Sequence, residues 1–280
     1  MCIAFSSRGH RQKWADQSSS ILAVVWFYLI SQTKPDIFIH ECTARFTEDV
    51  IKVALSDDYI IESKLLCPTD FGLPARRPRR YTLGRKKSSM RILVDFDGDG
   101  SMFSDLFFRE VRLSGDAYCK APPGLLKKYK VERAASLKLP STVGGKMWPE
   151  HLLATDANLR SMKKYCQLKK SHPKYSECTL ADVSQSSGTP WRTLHRFVPT
   201  ILRNSNLWNF VQERWLHPLE YLHILNVPVW SRRHRFALRN FCGNLSLQDC
   251  QSICGNGMNL SQVGIVLLFA LAASCKKDGA

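Results

Sequence analysis

The sequence has no Cys-x-x-Cys pair, no apolar run long enough to span a bilayer, no internal repeat and few acidic residues. Each shortage excludes something. Without Cys-x-x-Cys, the nearest approach to a metal knuckle is Cys250-x3-Cys254, with no further ligand at short spacing, so no metal site is expected. The 10 cysteines are scattered rather than framed, which fits a reducing compartment. The two apolar runs, residues 21–30 (ILAVVWFYLI) and 264–274 (GIVLLFALAAS), are short, and no small-residue cleavage site follows the first. Buried helices are the expectation for both, with no membrane partner and a nuclear or cytoplasmic location.

Acids are outnumbered: 24 Asp+Glu face 40 Lys+Arg, a formal charge of +16. Such an excess argues against an enzyme of small neutral substrates. It favours a polyanionic partner, nucleic acid before an acidic membrane surface. The charge is uneven. Residues 76–91 carry eight basic residues and no acid, and residues 120–174 carry 13 against three. Apolar residues make up 44% of the 280, a globular composition with room for one large domain or two ordinary ones.

Ser18, Ser19 and Ser20 can cap a helix running to Ile30, with Pro35 beyond its end. Residues 36–40 (DIFIH) predict a short buried strand of a parallel sheet, 47–55 a helix and 59–66 another strand. The basic stretch 120–174, punctuated by Pro122-Pro123, Gly144-Gly145 and Pro173, predicts a loosely organised insertion. Compact texture resumes near Trp191, with Trp208, Trp215 and Trp230 following, and residues 258–274 predict a closing apolar helix.

Four constellations carry possible chemistry. Cys2 lies among small and polar residues (MCIAFSSRG), a setting for an exposed thiolate in a tight loop. Glu41 follows an apolar strand, where open α/β sheets place reacting groups and where burial would favour a held proton. Residues 71–84 (FGLPARRPRRYTLG) stiffen four arginines with prolines, and fixed arginines suit phosphates or base edges. Asp95, Asp97 and Asp99 imitate the opening of a calcium loop, but Leu106 stands where the bidentate glutamate is needed.

In order, these segments resemble the second half of the DNA cytosine-5 methyltransferase family. The family's Pro-Cys-Gln-x-Phe-Ser-x-x-Gly loop is matched at Cys2, Phe5, Ser6 and Gly9, and its strand-end Glu-Asn-Val at Glu41. Its Gln-x-Arg-x-Arg signature, after an Asp-aromatic-Gly-x-Pro turn, is matched by Asp70-Phe71-Gly72-Leu73-Pro74 and then Arg77 and Arg79, without the glutamine. Arg-x-Leu-x-Pro-x-Glu is matched in full by Arg214, Leu216, Pro218 and Glu220, and the closing Gly-Asn by Gly255-Asn256.

The resemblance implies a mechanism. Cys2 would add to C6 of a flipped cytosine, Glu41 would hydrogen-bond or protonate N3, and Arg79 with Arg77 would position the base. The methyl group would come from S-adenosylmethionine, with Gly255 and Asn256 near that cofactor. Ser6, Gly9, Arg76, Arg80 and Arg214 would contact the substrate DNA. The fold implied is α/β, an incomplete Rossmann-like S-adenosylmethionine-dependent sheet with a small inserted target-recognition region. The expected divisions are 1–90 partial catalytic domain, 91–195 basic insertion and 196–280 return to the catalytic domain. The family's Gly-rich cofactor loop has no counterpart, so a separate N-terminal cofactor-binding half is an expected partner and stand-alone activity is in doubt. The alternatives are a non-catalytic nucleic-acid-binding remnant and the branch that methylates transfer RNA.

Overall fold

A computed structural model describes residues 17–97, 102–185, 187–231, 245 and 247–278. Cys2, Ser6, Gly9, Asp99 and Gly100 lie outside the described residues. The fold is mixed α/β with small sheets. Every pairing between its strands is antiparallel, so the parallel setting expected for the Glu41 strand is corrected. Two compact units emerge. One contains the described residues up to Phe71, Pro78–Glu110 and those from Gln262 onward; the other contains Gly72–Arg77 and Val111–Ser261. Residues 91–110 thus group with the first unit and 196–261 with the second, where the sequence pattern divides the chain in three.

The first unit is built on three strands: β1 (Ile37–Thr43), β2 (Tyr59–Leu66) and β3 (Arg79–Lys86), in the order β1-β3-β2. Residues directly opposite share a face. Phe38, His40 and Cys42 therefore lie beside Gly84, Thr82 and Arg80 on one face. That face collects the apolar cluster of Phe38, Cys42, Phe46, Ile51, Leu55 and Tyr59, with Trp26, Phe27 and Ile30 packed against it. The helix Asp49–Leu55 contributes Ile51 and Leu55, four apart and so on one side. The opposite face carries Glu41, Arg79, Tyr81, Leu83, Arg85 and Glu62.

That second face is charged and covered. Glu62 and Arg85 are diagonal neighbours and form a buried ion pair, and the second Glu62 oxygen accepts from the Phe96 N–H at 2.6 Å. Burial raises the pKa of Glu62, against the pull of the Phe96 N–H and the Arg85 charge. Phe96 anchors an edge-to-face set with Phe103, and Phe269 packs on Phe103 at 5.0 Å. Phe96, between Asp95 and Asp97, is thus pinned to Glu62, and no cluster of metal-ligating side chains occurs among the described residues.

The helix Gln17–Thr33 departs from expectation. Ala23 is buried, but Ile21, Val24 and Tyr28 are more than 60% exposed, so most of its apolar surface is uncovered. Among the described residues one stretch, Gln248–Ala272, has the length and apolar character to cross a membrane. It contains two helices, Leu247–Asn256 and Leu260–Ala272, separated at residues 257–259.

The second unit contains a four-stranded sheet ordered Arg214–Trp215, Leu207–Asn209, Leu180–Asp182, Leu194–His195. Leu180, Val198, Leu207, Leu216 and Leu222 form one core, and Cys250 and Cys254 are buried in it as apolar side chains one helical turn apart. Tyr129, Met162, Tyr165, Trp208 and Trp215 form a second core. The basic stretch is more ordered than its composition predicts. It holds the helices Pro123–Ser136 and Asp156–Ser171, whose buried sides are Tyr129, Arg133 and Ala134, and Asn158, Met162 and Tyr165. Thr155 caps the second of these by accepting from the Asn158 N–H at 3.3 Å. Arg133 lies over the Trp215 ring at 3.9 Å and donates to the Leu153 carbonyl, so a formally charged residue is spent on the core.

Gly84 is required by packing. A Cβ there would overlap the Phe38 ring, which faces Gly84 across the β1–β3 pairing. Gly84→Ala is expected to destabilise the chain by about 1–3 kcal/mol, as overpacking does. An unchanged thermal midpoint would contradict this packing.

Candidate functional site

The structure brings two of the expected site residues together in the first unit. Glu41 stands opposite Tyr81, and Arg79 is two residues away on the same face of β3. The diagonal is closed by an ion pair, Arg79 Nε to Glu41 Oε1 at 3.0 Å, with both side chains largely buried. Arg79 also donates through Nη1 to the Pro78 carbonyl at 2.9 Å, which fixes the guanidinium plane. Arg80 points to the other face and pairs with Glu48 at 3.3 Å; Glu48 also meets Lys52 at 3.6 Å.

In the second unit, Arg77 is buried and donates to three carbonyls: Gly255 at 3.1 Å, Ile201 at 3.4 Å and Gly257. Gly255 and Gly257 lie at or just beyond the C-terminal end of the helix Leu247–Asn256, where unpaired carbonyls and the helix dipole favour a cation. Arg77 is therefore a helix-capping residue, and the expectation that it positions a base is revised. Arg76 is half-exposed and donates through Nη1 to the Trp191 carbonyl at 3.3 Å. Its own carbonyl accepts from the Thr200 hydroxyl at 2.9 Å.

Gly255 and Asn256 test the expected cofactor. A cradle for S-adenosylmethionine needs an open concavity with free donors or acceptors. Gly255 instead abuts the backbone of Arg203, where a Cβ would collide, and its carbonyl is used by Arg77. Asn256 is exposed. Gly255 packs a helix end against chain and leaves no cradle for the cofactor at that position, so no chemical step is routed through it.

Arg214 also changes role. It is buried with Glu220 in a two-point ion pair, Nη1 to Oε2 and Nη2 to Oε1, each at 2.8 Å. Its Nε donates to Gln212, and its Nη1 also donates to the Trp215 carbonyl. With its donors engaged inside the protein, Arg214 does not reach a phosphate. The Glu220 carboxylate further accepts from the N–H groups of His217 and Ala121, at 2.8 and 2.7 Å. Arg-x-Leu-x-Pro-x-Glu thus encodes a buried anchor that starts the helix Pro218–Ile224 in a capping box. Glu220, Glu48 and Trp191 were not singled out as site residues. Only Glu220 had a sequence signal, its place at N3 after Pro218.

His217 caps the same helix by accepting from the Leu219 N–H at 3.1 Å, which requires a neutral imidazole. Burial holds its pKa down at about 4. Between about 6.5 and about 4 the unfolded chain takes up a proton that the folded chain refuses, so stability falls as pH falls through that window. His40 and His195, likewise lowered to about 4 by burial, add in the same direction. His217→Asn keeps a capping acceptor and is expected to flatten the pH dependence of the denaturation midpoint between pH 6.5 and 4. An equally steep dependence would contradict this role. Arg214→Met leaves Glu220 buried and unpaired and is expected to cost about 3–5 kcal/mol. Pairing it with Glu220→Leu should recover part of that in chemical denaturation, since both charges are then gone.

No protein-family model matches this chain, and no curated protein matches it. Similar solved structures include the Dnmt2 methyltransferase of S. pombe, at 13% identity over 97% of this chain and 76% of that one, with a TM-score of 0.44. The Entamoeba histolytica methyltransferase EhMeth is also 13% identical, over 97% and 75%, with a TM-score of 0.43. A DNA modification methyltransferase encoded within an E. coli prophage is 17% identical, over 90% and 76%, with a TM-score of 0.40.

Proposed function

We propose that this chain is a cytosine-5 methyltransferase-like protein that takes a cytosine of a nucleic acid, DNA before transfer RNA, against Glu41. The observation that carries this reading is the Glu41–Arg79 ion pair. Two signatures of the resemblance, 38 positions apart in sequence, supply its two halves. In its charged, Arg79-bound form Glu41 is an acceptor, and the 4-amino group of cytosine is the donor it suits. Protonation of N3, the role that the resemblance implies, requires the carboxylate to gain a proton and the pair to loosen.

The charge distribution supports a nucleic-acid partner. On the helix Pro123–Ser136, Lys128 is paired with Glu132 and Lys130 with Glu150. On the helix Asp156–Ser171, Arg160, Lys163, Lys164 and Lys170 are exposed, and no ion pair engages them among the described residues. Positions three and four apart line up along one side, giving a basic stripe suited to phosphates.

The reaction implied by the resemblance is methyl transfer from S-adenosylmethionine to C5 of the cytosine through a Cys2 adduct. A second reading, a non-catalytic nucleic-acid binder, is favoured by one observation: Gly255 is packed on backbone and offers no cofactor cradle.

The test is transfer of label from S-adenosylmethionine to duplex DNA and to transfer RNA, alongside binding titrations at several salt concentrations. Label that is lost in Cys2→Ser and in Glu41→Gln supports the enzyme. Binding without label, steep in salt and preserved in Cys2→Ser, supports the second reading. Neutralising the four basic residues of the stripe to Gln should lower the duplex salt slope by about 3–4. Weak, salt-insensitive binding by the unaltered chain would contradict both readings.

A further inference from the structure

One surface of the second unit combines an exposed indole with cations. Trp191 is 52% exposed, in the short helix Pro190–Thr193, while Trp208 and Trp215 are buried. An exposed indole offers a broad aromatic plane on which a base can stack. Arg76 reaches the Trp191 carbonyl, which fixes the guanidinium beside the residue that bears the indole. Arg192 and Lys174 are exposed.

The two charges that act on His195 beside the patch are both positive. His195, stacked on Phe197 with ring centres 5.5 Å apart, has Arg76 and Lys174 as its charged neighbours. No carboxylate pairs with Arg76, Lys174 or Arg192 among the described residues. Among the described residues these three cations are therefore left outside any ion pair.

We infer that this patch binds an unpaired segment of nucleic acid, with one base stacked on the Trp191 indole and the flanking phosphates held by Arg76, Lys174 and Arg192. An aromatic plane accepts any base, and flexible cations follow a backbone without reading sequence. The duplex-facing stripe on Asp156–Ser171 has no exposed aromatic ring, so the two surfaces differ in the strand state they suit. The inference rests on the nucleic-acid reading above and adds a second contact to it.

The test uses the full chain and two labelled probes, a short oligothymidylate and a blunt duplex, with binding read by fluorescence anisotropy. Trp191→Ala should weaken oligothymidylate binding about 10-fold or more, as loss of a stacked base does, while Trp191→Phe keeps most of it. Duplex binding should be unchanged by either substitution. Arg76→Gln with Lys174→Gln should lower the single-strand salt slope by about 1.4. Oligothymidylate binding unaffected by Trp191→Ala overturns the inference, as does duplex binding with no single-strand binding. Failure of the unaltered chain to bind either probe would overturn the nucleic-acid reading itself.

Discussion

The central strand β3 carries two arginines onto one buried face of its sheet, and the first unit depends on how they are neutralised. Arg79 meets Glu41 on β1, and Arg85 meets Glu62 on β2, each across a diagonal of the antiparallel register. A buried cation without a partner is costly, whereas a paired and hydrogen-bonded one is tolerated. A one-residue slip of β3 would send both arginines to the face occupied by Phe38, His40 and Cys42. The two ion pairs therefore fix register as well as charge. The same register brings the candidate base-recognising carboxylate to its guanidinium.

Local patterns in the sequence were legible where apolar spacing was clean. Residues 59–66 form the expected strand, and the helix at 47–55 appears as Asp49–Leu55. Strand β3 was not legible, because RRYTLGRK reads as a basic run until its neighbours explain the buried arginines. The helices of the basic stretch were hidden for a related reason: their lysines dominate the composition, while the buried side rests on a few residues such as Tyr129, Met162 and Tyr165. The apolar run at 21–30 misled in the opposite direction. Apolar character predicts burial, but this helix covers only part of its surface.

The candidate site divides in the same way. Glu41 and Arg79 were legible as types and spacing, and their pairing needed the register. Arg77 and Arg214 belong to sequence signatures, yet the structure spends their donors on a helix end and on Glu220. Signature arginines can thus hold the scaffold rather than the substrate, and spacing alone does not tell the two apart. The candidates left for a ligand are the Glu41–Arg79 pair, itself largely buried, and two basic surfaces of different character.

The central claim is that Glu41, ion-paired with Arg79, accepts from the 4-amino group of cytosine. The most direct measurement is the affinity of the full chain for a duplex bearing cytosine opposite an abasic site, compared with uracil in the same place. An unpaired base costs least to extrude, and uracil presents a carbonyl where cytosine presents the amino group. A preference for cytosine of about 10-fold, the scale of one such polar contact, that falls away in Glu41→Gln is the expected result. Equal affinity for the two bases in the unaltered chain would contradict the account.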